Sequence, residues 1–194
     1  MDPPVPVKLD CPLKKKLGDE SPRISQDCWK DEAMRMSSEE ASLWLSGSEP
    51  LPMNAPEQYF EHFECSGKTL LEVLRSLCSR LYLQGETNKI DRILESLSFR
   101  YVMCNPSSHF RAKECVHSVV YSLFLLNTDL HLAKMDKHMT LHQFLSNTCA
   151  ALEESDFFDD VPVSVKRELE DMYISIREQP LGVPREIQTL IEPK

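Results

Sequence analysis

Apolar residues recur at helical spacing along most of the chain after residue 68. In "TLLEVLRSLCSRLYL", residues 69–83, the leucines recur at intervals of three and four and make one broad apolar face. The next pattern follows a break at Gly85-Glu86 and runs to Pro106, which disfavours helical geometry in the residue before it. Its apolar positions are Ile90, Ile93, Leu94, Leu97 and Tyr101. Both stretches predict amphipathic helices that pack one face against a core.

A third stretch, residues 112–131, is apolar on almost every side between Val116 and Leu126. Such a helix has neighbours on most sides, so we expect it in the middle of the domain. Two more helices are predicted over "MTLHQFLSNTCAAL", with Thr140 as its cap, and over "VPVSVKRELEDMYISIREQPL", which Pro180 ends. Shorter helices are predicted at residues 37–45, 55–63 and 184–192.

The glycine content and the hydrophobic pattern together favour helices over sheet. The chain of 194 residues has only five glycines, and few of its segments alternate apolar and polar residues. We therefore predict one all-α domain of about eight to ten helices, spanning residues 37–192. Residues 1–36, which are rich in proline, lysine, serine and aspartate, are predicted to form a disordered leader.

The formal net charge of −9 disfavours nucleic acid and acidic membranes as partners, because both are bound through a basic surface. Hydrophobic residues make up 41% of the chain and charged residues 27%, which is typical of a globular protein. The seven cysteines lack the spacing of a disulfide framework. The N-terminus has no apolar signal-peptide core, and no segment is apolar over the length of a membrane span. These features predict a protein of the reducing cytoplasm.

Metal binding and covalent catalysis have weak support in the sequence. The candidate metal ligands are Cys104, His109, Cys115, His117, His138 and His142. Their spacings match no common zinc module, and the helical turn from His138 to His142 lacks the glutamate of a metalloprotease. The chain also lacks a nucleophile elbow and a phosphate-binding glycine loop. We therefore predict no metal, no cofactor and no covalent chemistry.

Glu86 stands at a sharp break between two helical patterns. Gly85 permits backbone angles that other residues resist, and Lys89 and Arg92 follow the acid closely. A carboxylate at such a position most often stays in solvent and favours the start of the next helix through the helix dipole. The alternative is a functional acid that projects from the turn.

Two segments together provide a reason for such an acid. The first contains Gly85-Glu86 and "KIDR", followed by "RY" and "CNP", and the second is "LNTDLH" at residues 126–131. In this order and at this separation, they resemble the Sec-seven domain of guanine-nucleotide exchange factors for Arf GTPases. The resemblance extends from Ser38 to Leu181. It is strongest to the fungal branch, whose members often carry a pleckstrin-homology domain downstream.

The resemblance implies a fold, a reaction and a partner. The family fold is an elongated right-handed superhelix of about ten helices. Its members bind Arf GTPases in the GDP-bound and nucleotide-free states. They promote the release of GDP from the GTPase without covalent chemistry. They do so through an acidic finger, which Glu86 would provide here. Contact with Golgi, endosomal or plasma membranes would be indirect, through the lipidated GTPase or through flanking domains.

Residues of both motifs would then form a GTPase-binding site. By resemblance, Tyr121, Phe124 and Leu125 would line an apolar groove that receives the switch regions of the GTPase. The remaining contacts would come from Gly85, Asp91, Asn127, Asp129 and His131. Ordinary alternatives stay open: core packing for the three apolar residues, and helix capping for the asparagine and the second aspartate.

Four positions match those that accompany sensitivity to the inhibitor brefeldin A in the family. They are Tyr121, Ser122, Asp129 and Met139. We therefore predict that the drug inhibits this domain on GDP-bound Arf. One departure from the family is Leu132-Ala133, where many members have Asn-Pro, so a contact from that asparagine is not expected here.

Two other interpretations remain open. A non-catalytic helical adaptor would bind an Arf-like GTPase without emptying it, and it would have no need of an acid at Glu86. A structural domain without a GTPase partner would leave the two motifs as coincidences. Exchange activity is the interpretation that uses both motifs.

Overall fold

The computed structural model describes residues 41–42, 45, 59–61, 63–83, 87–134, 136–155 and 157–183. Five α-helices run from end to end within these residues: α1 (Leu70–Cys78), α2 (Thr87–Cys104), α3 (Lys113–Asn127), α4 (Leu141–Glu154) and α5 (Val163–Glu178). A π-helical turn, Thr128–Leu132, directly continues α3. Residues 41–42, 45 and 59–61 are also helical, and the described residues contain no strand. The predicted all-α fold is confirmed.

Reciprocal caps define where α1 and α4 begin. The hydroxyl of Thr69 accepts the Glu72 N–H at 3.3 Å, and the Glu72 carboxylate accepts the Thr69 N–H at 2.8 Å. These hydrogen bonds from Thr69 hold the pKa of the Glu72 carboxyl below its usual value. Thr140 and Gln143 form the same arrangement at the start of α4, so the cap predicted at Thr140 is confirmed. Each box satisfies N–H groups that have no partner within the helix.

The first long helix ends at Cys78, although its apolar pattern continues to residue 83. The Ser79 hydroxyl donates to the Ser76 carbonyl at 2.8 Å. Such a side chain competes for backbone groups and favours a turn over continued helix. Leu81 remains buried beyond this turn. The apolar spacing therefore predicted the burial of Leu81 correctly but the end of α1 wrongly.

Helix α3 lies at the centre of the described helices. It packs against α1, α2, α4, α5 and the π turn. Its fully buried apolar side chains are Cys115, Val116, Val119, Val120, Leu123 and Leu126. The apolar positions predicted for α2 are buried as well: Ile90, Ile93, Leu94, Leu97 and Tyr101. The prediction of a central helix is confirmed.

Arg75 of α1 binds the C-terminal end of α5. Its guanidinium donates to the carbonyl oxygens of Ser175 at 3.1 Å, Gln179 at 2.8 Å and Pro180. Carbonyls at the end of a helix have no partner within it, so a cation there satisfies them and complements the negative end of the dipole. The contact fixes the chain just after α5, where Leu181 is buried.

Replacing Arg75 with methionine is expected to lower the free energy of unfolding by roughly 2 kcal/mol. Several charge-assisted hydrogen bonds are lost together, and water replaces them only in part because Arg75 is half-buried. Urea unfolding followed by circular dichroism measures the change. Arg167→Met, on the exposed surface of α5, is the matched control, with an expected change within about 0.5 kcal/mol. An equal loss in both variants would contradict the structural role of Arg75.

Some sequence predictions fall on residues outside the described ones. These are the leader at residues 1–36, the break at Gly85-Glu86 and the last short helix at residues 184–192. The domain boundary at residue 37, the full helix count and the right-handed superhelix therefore stay predictions. Within the described part of the chain, no helix combines the length and the apolar character needed to cross a membrane.

Candidate functional site

One face of α3 is open, although the sequence of this helix is apolar on almost every side. Leu125 is 45% exposed, and Tyr121, Ser122 and Phe124 are half-buried. We call the surface formed by Tyr121, Phe124 and Leu125 the open face of α3. Because the rest of the helix is packed, these side chains stand on a rigid backbone. A partner that binds them therefore orders little chain in doing so.

Asp91 of α2 is linked to the open face through His117 of α3. The Asp91 Oδ1 lies 3.0 Å from Nε2 of His117, which is an ion-pair distance, although the two groups are not aligned as a hydrogen bond. The His117 ring stacks on that of Tyr121, with centroids 6.1 Å apart and planes 27° apart. From the sequence, His117 was considered only as a candidate metal ligand and not as a neighbour of the open face. The signal was its position one helical turn before Tyr121.

Gly85 and Glu86 lie outside the described residues. The described chain resumes at Thr87, the first residue of α2. Glu86 therefore directly precedes, in the sequence, the helix that carries Asp91 near its start. The assignment of Glu86 as an acidic finger stays a prediction.

Asn127 and His131 bind the end of α5. The Oδ1 of Asn127 accepts the Leu181 N–H at 2.8 Å, and Asn127 is buried. Nε2 of His131 donates to the Ile176 carbonyl at 2.7 Å, which places the proton on Nε2 because a carbonyl can only accept. The side chain of Asn127 makes no capping hydrogen bond to the π turn. For Asn127 the capping alternative is therefore wrong. Its side chain instead links α3 to the chain after α5.

Asp129 closes the loop between the π turn and α4. Its Oδ2 accepts the Met139 N–H at 2.6 Å, and its backbone carbonyl accepts a hydrogen bond from Nδ1 of His138 at 2.7 Å. Tyr173 of α5 donates its hydroxyl to the Met139 carbonyl at 2.9 Å. The loop therefore holds Asp129 against Met139, which are two of the four positions matched to brefeldin A sensitivity. The other two positions lie on α3.

The described residues assemble no metal site, and Cys65 and Cys78 are buried in the core. They contain no group of three or more histidine, cysteine, aspartate or glutamate side chains that could hold a metal ion. Burial raises the pKa of the Cys65 and Cys78 thiols to about 12. Thiols of that kind stay protonated at neutral pH and are poor nucleophiles. Both are free cysteines that serve as small apolar groups of the core.

A family model described as the Sec7 domain matches residues 15–181 of the chain. A PH and SEC7 domain-containing protein of Schizosaccharomyces pombe is 32% identical over 149 residues, which cover 74% of this chain and 16% of that protein. The guanine-nucleotide exchange factor YEL1 of Saccharomyces cerevisiae is 34% identical over 134 residues, which cover 63% of this chain and 19% of that protein. The chain belongs to the Sec7 domain family. It spans less than a fifth of the length of these two relatives.

Solved structures share the fold. The catalytic domain of Sec7p superposes with a TM-score of 0.71 at 26% identity, covering 87% of this chain and 85% of that chain. A structure of ARF1-GDP bound to a Sec7 domain complexed with brefeldin A gives a TM-score of 0.72 at 24% identity, covering 90% of this chain and 85% of that chain. The second likeness concerns the fold alone. Both agree with the all-α arrangement described above.

Proposed function

We propose that this domain is a guanine-nucleotide exchange factor for an Arf-family GTPase. The observation that carries the proposal is the link in space between the first motif and the open face of α3. Asp91, near the start of α2, contacts His117, whose ring stacks on Tyr121 of the open face. Glu86 directly precedes α2 in the sequence. An acid before α2 and an apolar surface on α3 would therefore act on the same partner.

The similar proteins support this choice of partner. One relative is named as a guanine-nucleotide exchange factor, and one solved structure contains ARF1-GDP on a Sec7 domain. The open face suits the apolar switch regions of such a GTPase. The side chain of Asp91 is 45% exposed and can accept a hydrogen bond from a basic residue of the partner while it remains beside His117.

The polar residues of the second motif have a positioning role in this proposal. Asn127, Asp129 and His131 already use polar atoms within the domain, in bonds of 2.6 to 2.8 Å. They fix the end of α3 and the π turn relative to α4 and α5. The GTPase then meets a surface whose shape is set before binding, which lowers the entropic cost of the complex.

Release of GDP in this scheme needs a change in electrostatics and no covalent bond. A GTPase holds the phosphates of its nucleotide with Mg²⁺ and a lysine. The Glu86 carboxylate, inserted beside the β-phosphate, repels it and competes for the metal ion and the lysine of the GTPase. The domain then stabilises the nucleotide-free GTPase until GTP binds.

Release of a fluorescent GDP analogue from purified Arf proteins tests the proposal. We expect the domain to accelerate release in proportion to its concentration. Binding to an Arf protein without faster release would identify a non-catalytic adaptor instead. Binding to no Arf protein would reject a GTPase partner altogether.

Brefeldin A at saturating concentration is expected to slow this release. We propose that Tyr121, Ser122, Asp129 and Met139 line its site, and the 2.6 Å hydrogen bond already holds two of them together. The release assay with and without drug measures the effect. Ser122→Ala removes a hydroxyl from the proposed drug site and leaves the open face unchanged, so it should weaken inhibition while preserving release without drug. Unchanged release at saturating drug would contradict this prediction.

A further inference from the structure

Leu132 ends the π turn with 67% of its surface exposed. It follows His131 directly and lies seven residues after Leu125 of the open face. A single exposed leucine on a protein surface is common and needs no explanation by itself. Leu132 differs from such residues because the backbone around it is fixed.

Three hydrogen bonds hold the backbone on both sides of Leu132. The Ala133 N–H donates to the Thr128 carbonyl at 2.8 Å, which closes the π turn. His131 is bonded to α5 at 2.7 Å, and the Asp129 carboxylate is bonded to the loop before α4 at 2.6 Å. Hydrogen bonds of this span occur at the C-terminal ends of helices, where they satisfy carbonyls that have no partner within the helix. The exposed leucine therefore stands on a rigid framework that continues from α3.

We propose that Leu132 is a specificity-determining residue of the exchange reaction, in contact with an apolar side chain of the GTPase switch regions. The inference rests on the proposed function and adds a contact beside the open face. A leucine on fixed backbone loses little conformational entropy on binding, so most of its apolar burial contributes to affinity. It would favour a GTPase with an apolar residue at the facing position, because a charge buried against leucine has no partner.

Ala133 has a defined part in presenting Leu132. Its φ of −74° is compatible with proline, but proline has no N–H to donate to the Thr128 carbonyl. Proline at this position also disfavours helical geometry in the residue before it, which is Leu132. An Ala133→Pro variant is therefore expected to open the π turn and move Leu132, while the leucine side chain itself stays unchanged.

Initial rates of GDP release at increasing concentrations of GDP-bound Arf test the inference. For Leu132→Asn, which replaces the apolar end of the side chain by an amide, we expect KM to rise about tenfold at unchanged kcat, equal to about 1.4 kcal/mol of binding. Ala133→Pro should raise KM in the same direction. Val163→Asn is the matched control, because Val163 is 77% exposed at the start of α5, and its KM should stay within about twofold of wild type.

The outcomes separate this inference from the proposed function. Equal KM values for Leu132→Asn and Val163→Asn would overturn the inference and leave exchange activity intact. A fall in kcat without a change in KM would also overturn it, because the leucine would then act after binding. A wild-type KM for Ala133→Pro would overturn the part assigned to the π turn. If the wild-type domain accelerates release from no Arf protein, the proposed function fails and the inference fails with it.

Discussion

Charge reversal at Glu86 is expected to abolish accelerated GDP release while the complex with Arf persists. The proposed finger acts by placing a negative charge beside the β-phosphate and the Mg²⁺ of the GTPase. Two unit charges 4 Å apart interact by about 4 kcal/mol at an effective dielectric constant near 20. That energy corresponds to roughly a thousandfold in rate. In Glu86→Lys the repulsion of the phosphate becomes attraction, so the nucleotide is held in its site.

The complex persists in this variant because its apolar contacts do not depend on the charge at residue 86. The open face of α3, with Leu125 45% exposed, supplies those contacts in the proposal. Glu86→Lys should therefore separate catalysis from binding. We expect kcat to fall to the background rate, while the affinity for GDP-bound Arf stays the same or increases.

Stopped-flow release of a fluorescent GDP analogue measures the rate, and titration calorimetry with GDP-bound Arf measures the affinity. Glu153→Lys is the matched control, because Glu153 is exposed in the last turn of α4, where a lysine suits the helix dipole. Glu153→Lys changes the net charge by the same amount as Glu86→Lys, and it should accelerate GDP release from Arf as strongly as the wild-type domain does. Wild-type release by Glu86→Lys would reject the acidic finger.

The helices of the domain could be predicted because their signals are local. The apolar spacing of α2 repeats over several turns and identified its buried positions. The apolar character of α3 on almost every side predicted its central position, but it did not distinguish the buried side from the open face. The cap at Thr140 could be predicted because a capping box involves residues only three apart. The family could be inferred because its two motifs are short, ordered and read directly from the chain, and the family match confirms that inference.

The contacts that organise the candidate site could not be predicted in this way. Asn127 meets Leu181, 54 residues away, and Arg75 meets Gln179, 104 residues away. Periodicity predicts which face of a helix is buried but not which neighbour covers it. The hydrogen bond from the Met139 N–H to Asp129, which joins the π turn to the loop before α4, also spans ten positions. Only the folded arrangement reveals that the polar atoms of the second motif are used within the domain.

Truncation of Leu123 to alanine is expected to lower the free energy of unfolding by about 3–5 kcal/mol. Leu123 has no exposed surface and lies in α3, which packs against the four other described helices. The change removes apolar contacts and leaves a cavity that a close-packed interior closes only in part. A loss of this size is a large fraction of the stability of an ordinary domain. Urea unfolding followed by circular dichroism measures it.

Leu125→Ala is the matched control, because it makes the same chemical change two residues away on the open face, where the leucine is 45% exposed. It should cost less than about 1 kcal/mol in unfolding free energy. It should also raise KM for GDP-bound Arf, since the proposal places Leu125 against the switch regions. The buried leucine would thus affect stability and the exposed leucine would affect binding. Equal losses of stability in the two variants would contradict the division of α3 into a buried side and an open face.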